Sequence, residues 1–79
     1  MQRIGIGVFD ATPLFRAGMA HVLNADPGMQ VVVEGGSAPE VLHLIEKHAP
    51  NVVILDSAFL RDGLNLARSI GAIAGVSLL

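Results

Sequence analysis

Two aspartates in this chain have the type and placement to do chemistry. Asp10 follows the apolar run Ile4 to Phe9, and Asp56 closes the run N-V-V-I-L-D from Asn51. Each run has the length and composition of a strand, so each carboxylate falls at a strand's carboxyl end. In open parallel sheets, ligands bind beyond those ends, where the winding reverses. In a 2-1-3 strand order the two strands are neighbours and the two carboxylates share one rim. Two chemistries suit such a rim. Paired carboxylates are hard oxygen ligands that Mg²⁺ takes together with water and phosphoryl oxygens. A carboxylate can also be the nucleophile of phosphoryl transfer, giving an aspartyl-phosphate. The alternative is structural: a strand-end Asp that caps the loop after it.

Other constellations are weaker. Gly5-Ile6-Gly7 has part of a dinucleotide fingerprint, but these glycines precede the strand's end and the third is missing. A Gly-Lys-Ser/Thr phosphate loop is absent. His21, His43 and His48 form no i,i+4 pair and read as surface or helix-end residues rather than metal ligands. Ser57 has no partnered histidine for a nucleophilic triad. Arg3, Arg16, Lys47, Arg61 and Arg68 are scattered, so no direct nucleic-acid contact by this chain is expected.

The elements that must position the aspartates alternate. Arg3 to Phe9 has period two and reads as a strand, its glycines marking the close approach of a helix. Thr12-Pro13 is a helix start, a hydroxyl cap followed by proline, with an apolar stripe Leu14, Phe15, Gly18, Met19, Val22, Leu23. Gln30 to Gly35 is a β-branched strand. Ser37 and Glu40 have capping-box spacing ahead of a second helix, with Val41, Leu42, Leu44 and Ile45 on its buried side; Ala49-Pro50 ends it. Asn51 to Asp56 reads as a strand covered on both faces. Asp62-Gly63 opens a third helix to about Ile70, and Val76 to Leu79 begins a fourth strand. The order β-α-β-α-β-α-(β) predicts an open parallel α/β sheet with right-handed crossovers.

Composition sets limits. With 79 residues, 52% apolar and 15% charged, the chain is one domain or part of one, with a net charge of −2. A core of that size is marginal on its own, and without cysteine neither a disulfide nor a thiolate zinc site can staple it. The apolar stretches are too short for a membrane span, and no cleavage signal follows the first. A soluble cytoplasmic protein that does not engage membranes is the expectation.

The residues Val8 to Gly18 (V-F-D-A-T-P-L-F-R-A-G) closely resemble the V-x-D-D-H-P-L-F-R-E-G segment of response-regulator receiver domains of the NarL/FixJ (LuxR-type) transcription regulators. Asn51 to Asp56 resembles the P-D-V-V-L-L-D of the same CheY-like family. Asp26 to Glu34 (D-P-G-M-Q-V-V-V-E) matches the segment joining helix 1 to strand 2. The likeness spans essentially the whole chain.

The resemblance implies a flavodoxin-like three-layer sheet of order 2-1-3-4, incomplete, with residues 1–79 forming one partial receiver domain. It implies that Asp56 is the phospho-acceptor and that Asp10, Asp56 and the Ala58 backbone carbonyl face Mg²⁺. It implies a sensor histidine kinase as partner, phosphorylation-dependent control of transcription as function, and no enzyme activity. Departures from the family are clear. Ala11 stands where the second acid belongs, which weakens the metal site, and Thr12 replaces a histidine. The family's D-x-x-M-P-x-x-D-G becomes Asp56 to Gly63 without Met-Pro and one residue shorter. The Thr or Ser ending strand 4 and the Lys ending strand 5 fall beyond Leu79. A degenerate receiver that associates without phosphate is the alternative; a nucleotide-binding fragment of doubly wound type is a third. An open sheet edge predicts a homo-oligomer.

Overall fold

The computed structural model describes residues 3–61, 64–73 and 75–78. Its strands and helices alternate as β1 (Ile4–Phe9), α1 (Pro13–Asn24), β2 (Met29–Gly35), α2 (Val41–His48), β3 (Val52–Leu55), α3 (Asn65–Gly71) and β4 (Ser77–Leu78). Single 3₁₀ turns lie at Ala38–Glu40 and Ser57–Leu60. The sheet runs β2-β1-β3-β4 with every pairing parallel, the order expected from the sequence. Winding reverses after β2, so β1 lies between β2 and β3.

Two layers of helix cover the sheet. Phe9, Val33, Val41, Ile45, Val53 and Ile70 form one buried cluster, which joins β1, β2 and β3 to α2 and α3. Ile6 and Val8 are equally buried but lie outside that cluster, on the face that α1 covers. Burying such side chains contributes about 1.5–3 kcal/mol each.

The β1–β2 pairing shifts between Ile6 and Gly7, so Ile6 faces Val31 while Gly7 faces Val33. Val32 is thus an extra residue on β2 at this point of the ladder.

Several expectations change in detail. The glycines of β1 do not mark a helix: a Cβ on Gly7 would stand 2.9 Å from the Phe9 ring and 3.1 Å from Val33. The space belongs to side chains of the sheet itself. β3 is covered less than its composition implies, because only Val53 is buried and Ile54 is half-exposed. α1 leans toward β2 and leaves that part of the face open.

Thr12 makes no side-chain cap; its N–H is taken by Asp10 instead. Ser37 likewise makes no side-chain cap, and Glu40 reaches back to the Gly36 N–H at 2.8 Å. A 3₁₀ turn therefore occupies Ala38–Glu40 and α2 begins later, at Val41. The Asp62-Gly63 start assigned to the third helix, and Leu79 at the end of the fourth strand, lie outside the described residues.

The opposite edge of the sheet is fastened by Asn51. Its Oδ1 accepts from the Gly5 N–H at 2.8 Å, its N–H donates to the Gly5 carbonyl, and its carbonyl accepts from Ser77. One residue thereby ties β1, β3 and β4. α2 ends on Ala49 in the left-handed region (φ 47°), and the next residue, Pro50, is fully buried and cannot extend a helix.

Candidate functional site

Asp10 is the first residue past β1, and Asp56 the first past β3. Phe9 pairs with Leu55, so the two aspartates occupy adjoining positions on neighbouring strands. Strands in a sheet lie about 4.8 Å apart. The Asp56 N–H donates to the Phe9 carbonyl at 2.9 Å, which extends the ladder to the rim itself. On its other side the Asp10 N–H donates to the Gly35 carbonyl at 3.1 Å. The rim is thus built from three strand ends, with Asp10 central. Both aspartates are half-buried.

Each carboxylate also does structural work. Asp10 Oδ1 accepts from the Thr12 N–H at 2.8 Å, and Asp56 Oδ1 accepts from the Ala58 N–H at 3.1 Å. These are the Asp-to-backbone turns that the structural reading of the sequence anticipates. They do not exhaust the carboxylates. Each keeps its Oδ2 without a hydrogen-bond partner among the described residues. Capping and chemistry are therefore compatible at both positions, and the turns fix the side-chain direction for either.

Ala58 lies in the 3₁₀ turn Ser57–Leu60, for which Asp56 is the N-cap. The group it presents to Asp56 is its N–H.

A divalent hard cation can be held by one or two carboxylates completed by water and phosphoryl oxygens. Asp10 and Asp56 fit that donor set as a two-carboxylate site. Among the described residues no group of three His, Cys, Asp or Glu side chains comes together. Position 11, where a third acid could have joined them, is an exposed Ala.

The remaining candidates add nothing to the rim. His21, His43 and His48 are exposed, and Ser57, although next to Asp56, is exposed as well. Gly5 and Gly7 lie inside β1, away from the strand end where a phosphate could approach. A cavity of about 390 Å³ opens at the opposite end of the sheet, between Ile45, Pro50, Asn51 and Val76. It has no share in the carboxylate rim.

Sequence reasoning missed Arg16. Its guanidinium Nη1 donates to the Asp10 carbonyl, and the head lies across Gly36. Glu40 joins the same edge through the Gly36 N–H. The available signal was the Arg in the first turn of α1, six residues after Asp10, but nothing in periodicity told which way its side chain turns.

No family model matches the chain. It is 38% identical over 68 residues to a protein-glutamate methylesterase/protein-glutamine glutaminase of Oleidesulfovibrio alaskensis, covering 85% of the chain and 18% of that protein. It is 30% identical over 77 residues to the probable transcriptional regulatory protein NarL of Mycobacterium tuberculosis, covering 98% of the chain and 35% of that protein. The chain spans about a third or less of the curated relatives it matches. Among solved structures, the signal receiver domain of the response regulator NarL from Mycobacterium tuberculosis superposes with a TM-score of 0.86 at 28% identity. That match covers 99% of the chain and 64% of the solved domain.

Proposed function

We propose that this chain, which belongs to the CheY-like receiver domains of response regulators, relays a signal by accepting a phosphoryl group on Asp56. The observation that carries the reading is the shared rim. Asp10 and Asp56 follow neighbouring parallel strands at the point where the winding reverses, and among the described residues each has one oxygen without a hydrogen-bond partner.

In the transfer, a carboxylate oxygen of Asp56 forms the new P–O bond. The bond from phosphorus to the donor breaks, and the electron pair leaves with the donor, either the imidazole of a sensor histidine kinase or the acetate of acetyl phosphate. Asp56 is held for this by the Ala58 N–H on one oxygen, which leaves the other directed to the donor. Asp10 and Asp56 are the residues that would hold a Mg²⁺ ion, which would supply the positive charge that an anionic donor meeting a carboxylate requires. In this reading the Ala58 backbone carbonyl, from the turn that Asp56 caps, would be a further oxygen ligand.

The chain itself performs no catalysis in this reading. The methylesterase relative is matched over 18% of its length, and its activity is not carried over. Transcription is the output in view of the regulators among the relatives. The setting is the cytoplasm, and no helix among the described residues is long and apolar enough to cross a membrane. Self-association is part of the proposal, since α1 buries none of its side chains fully.

Beryllofluoride or acetyl phosphate with Mg²⁺ tests the reading directly. Amide shifts around Asp56 are expected in the wild type and absent in Asp56→Asn. No response in the wild type overturns it.

One observation favours a second reading, a receiver that associates without phosphate. Among the described residues the rim holds two acids, and position 11 beside Asp10 is Ala. A dimer that is unchanged by the phosphate analogue supports that second reading.

A further inference from the structure

Three hydrogen bonds close the turn between β1 and α1. The Thr12 N–H donates to Asp10 Oδ1 at 2.8 Å, the Arg16 N–H donates to the Thr12 carbonyl at 3.1 Å, and the Arg16 guanidinium donates to the Asp10 carbonyl. Asp10 is therefore held at both ends: its carboxylate by the backbone of the turn, its carbonyl by a side chain from α1. The guanidinium is half-buried and rests on Gly36. A Cβ placed there would stand 2.8 Å from Nη1 and 3.4 Å from Cζ. Only glycine leaves the seat free.

Register decides what Arg16 can reach. Phe9 pairs with Gly35 on one side and Leu55 on the other. Gly36, Asp10 and Asp56 are thus successive positions across the rim. At roughly 4.8 Å per strand, Gly36 is about 10 Å from Asp56. A guanidinium seated there touches the main chain of Asp10 and not a group on Asp56. An arginine head given to a carbonyl, in a rigid planar fork, fixes backbone direction.

We propose that Arg16 is the positioning residue of the rim. It clamps the Asp10 carbonyl, with Gly36 as its seat, and so aims the Asp10 carboxylate along the edge shared with Asp56. Residues that orient a ligand from behind typically alter metal affinity 10- to 100-fold when removed. With a two-carboxylate site, the direction of Asp10 carries more of the binding than it would among three acids. The part of this inference that concerns Mg²⁺ rests on the phospho-acceptor reading; the part that concerns the turn does not.

Two variants test it. Arg16→Met removes the clamp, and Gly36→Ala displaces it while keeping the charge. Since the displaced atoms are the far end of a flexible side chain, Gly36→Ala disturbs the fold little and decides the matter if Arg16→Met does not fold. Two quantities are read by NMR on the chain: amide exchange at Thr12 and the Mg²⁺ dissociation constant. Both variants are expected to speed Thr12 exchange and weaken Mg²⁺ by about tenfold. The double variant is expected to be no worse than either alone, because both act through one contact. Thr12 exchange within twofold of wild type in Gly36→Ala, or additive effects in the double variant, overturns the inference. If the wild type takes up no Mg²⁺ while both variants still speed Thr12 exchange, the positioning role stands and the phospho-acceptor reading falls.

Discussion

The ring of Phe9 fills the space that a side chain on Gly35 would need: a Cβ at Gly35 would lie 2.8 Å from Phe9 Cδ1 and 3.0 Å from Cε1. The two residues face each other across the β1–β2 pairing, and both are buried. Phe9 leans back over Gly7 as well, so one aromatic ring takes the place of two side chains. The residue that follows Phe9 is Asp10. Packing of this ring therefore sets the height and direction at which the chain leaves the sheet for the rim.

Gly35→Ala should destabilise the chain by about 1–3 kcal/mol, the usual cost of forcing extra volume into a packed core. For a chain of 79 residues that is a large part of the total, about 4–12 kcal/mol at ordinary stability per residue. Urea unfolding followed by circular dichroism reads it as a lower midpoint at unchanged slope. Combining Gly35→Ala with Phe9→Leu should recover part of the loss, because the closest clash is with the ring; Glu40 Oε1, at 3.0 Å, is the end of a flexible exposed side chain. Strict additivity of the two losses would refute the assignment of that space to Phe9.

Asp56 has two duties that substitution can separate. Asparagine keeps the Oδ1 that accepts from the Ala58 N–H, so Asp56→Asn should hold stability within about 0.5 kcal/mol of wild type. Alanine loses the cap of the turn Ser57–Leu60 and should cost about 1 kcal/mol. Both should abolish any response to beryllofluoride. A response that survives in Asp56→Asn would assign the acceptor to another residue.

The rim was legible in the sequence because its parts are local. β-branched runs at Val31–Val33 and Val52–Ile54 announce strands, and an aspartate after each of two neighbouring strands falls at the carboxyl edge by topology alone. What escaped depends on tertiary contact. The shift at Ile6/Gly7 arises from how two strands meet, and neither strand's own period shows it. The half-exposure of Ile54 follows from the lean of α1 toward β2. Glu40 has the spacing for Ser37 but finds Gly36, one residue earlier. Arg16 lies on an apolar helix with no neighbour in sequence to tell that its head returns to Asp10.

Self-association should have a locus on α1. Leu14 is 82% exposed and Val22 is 66% exposed, eight residues apart along α1. With Gly18 between them there is open space for a neighbour to approach. Apolar surface of this kind on a folded chain marks a contact. Sedimentation at micromolar concentration should show a dimer or larger, and Val22→Lys should shift the population toward monomer. Because Val22 is exposed on the single chain, any fall in the unfolding midpoint should come from lost association and disappear at dilutions where the wild type is also monomeric. A wild-type chain that sediments as a well-folded monomer would contradict the oligomer.

Restoring the missing acid is the sharpest discriminator between the two functional readings. Ala11 follows Asp10 in the turn and is exposed, so Ala11→Asp adds a carboxylate at the rim with little effect on packing. If the rim is a metal-assisted phospho-acceptor weakened by this one position, the substitution should tighten Mg²⁺ by about tenfold and strengthen the beryllofluoride response in step. The response should still vanish in the Ala11→Asp, Asp56→Asn pair. If the chain works only as an association module, the added charge should bring neither Mg²⁺ binding nor any beryllofluoride response, and the oligomer should be the same with or without the analogue. A titration of the two variants side by side separates these outcomes, because only the first couples the new carboxylate to Asp56.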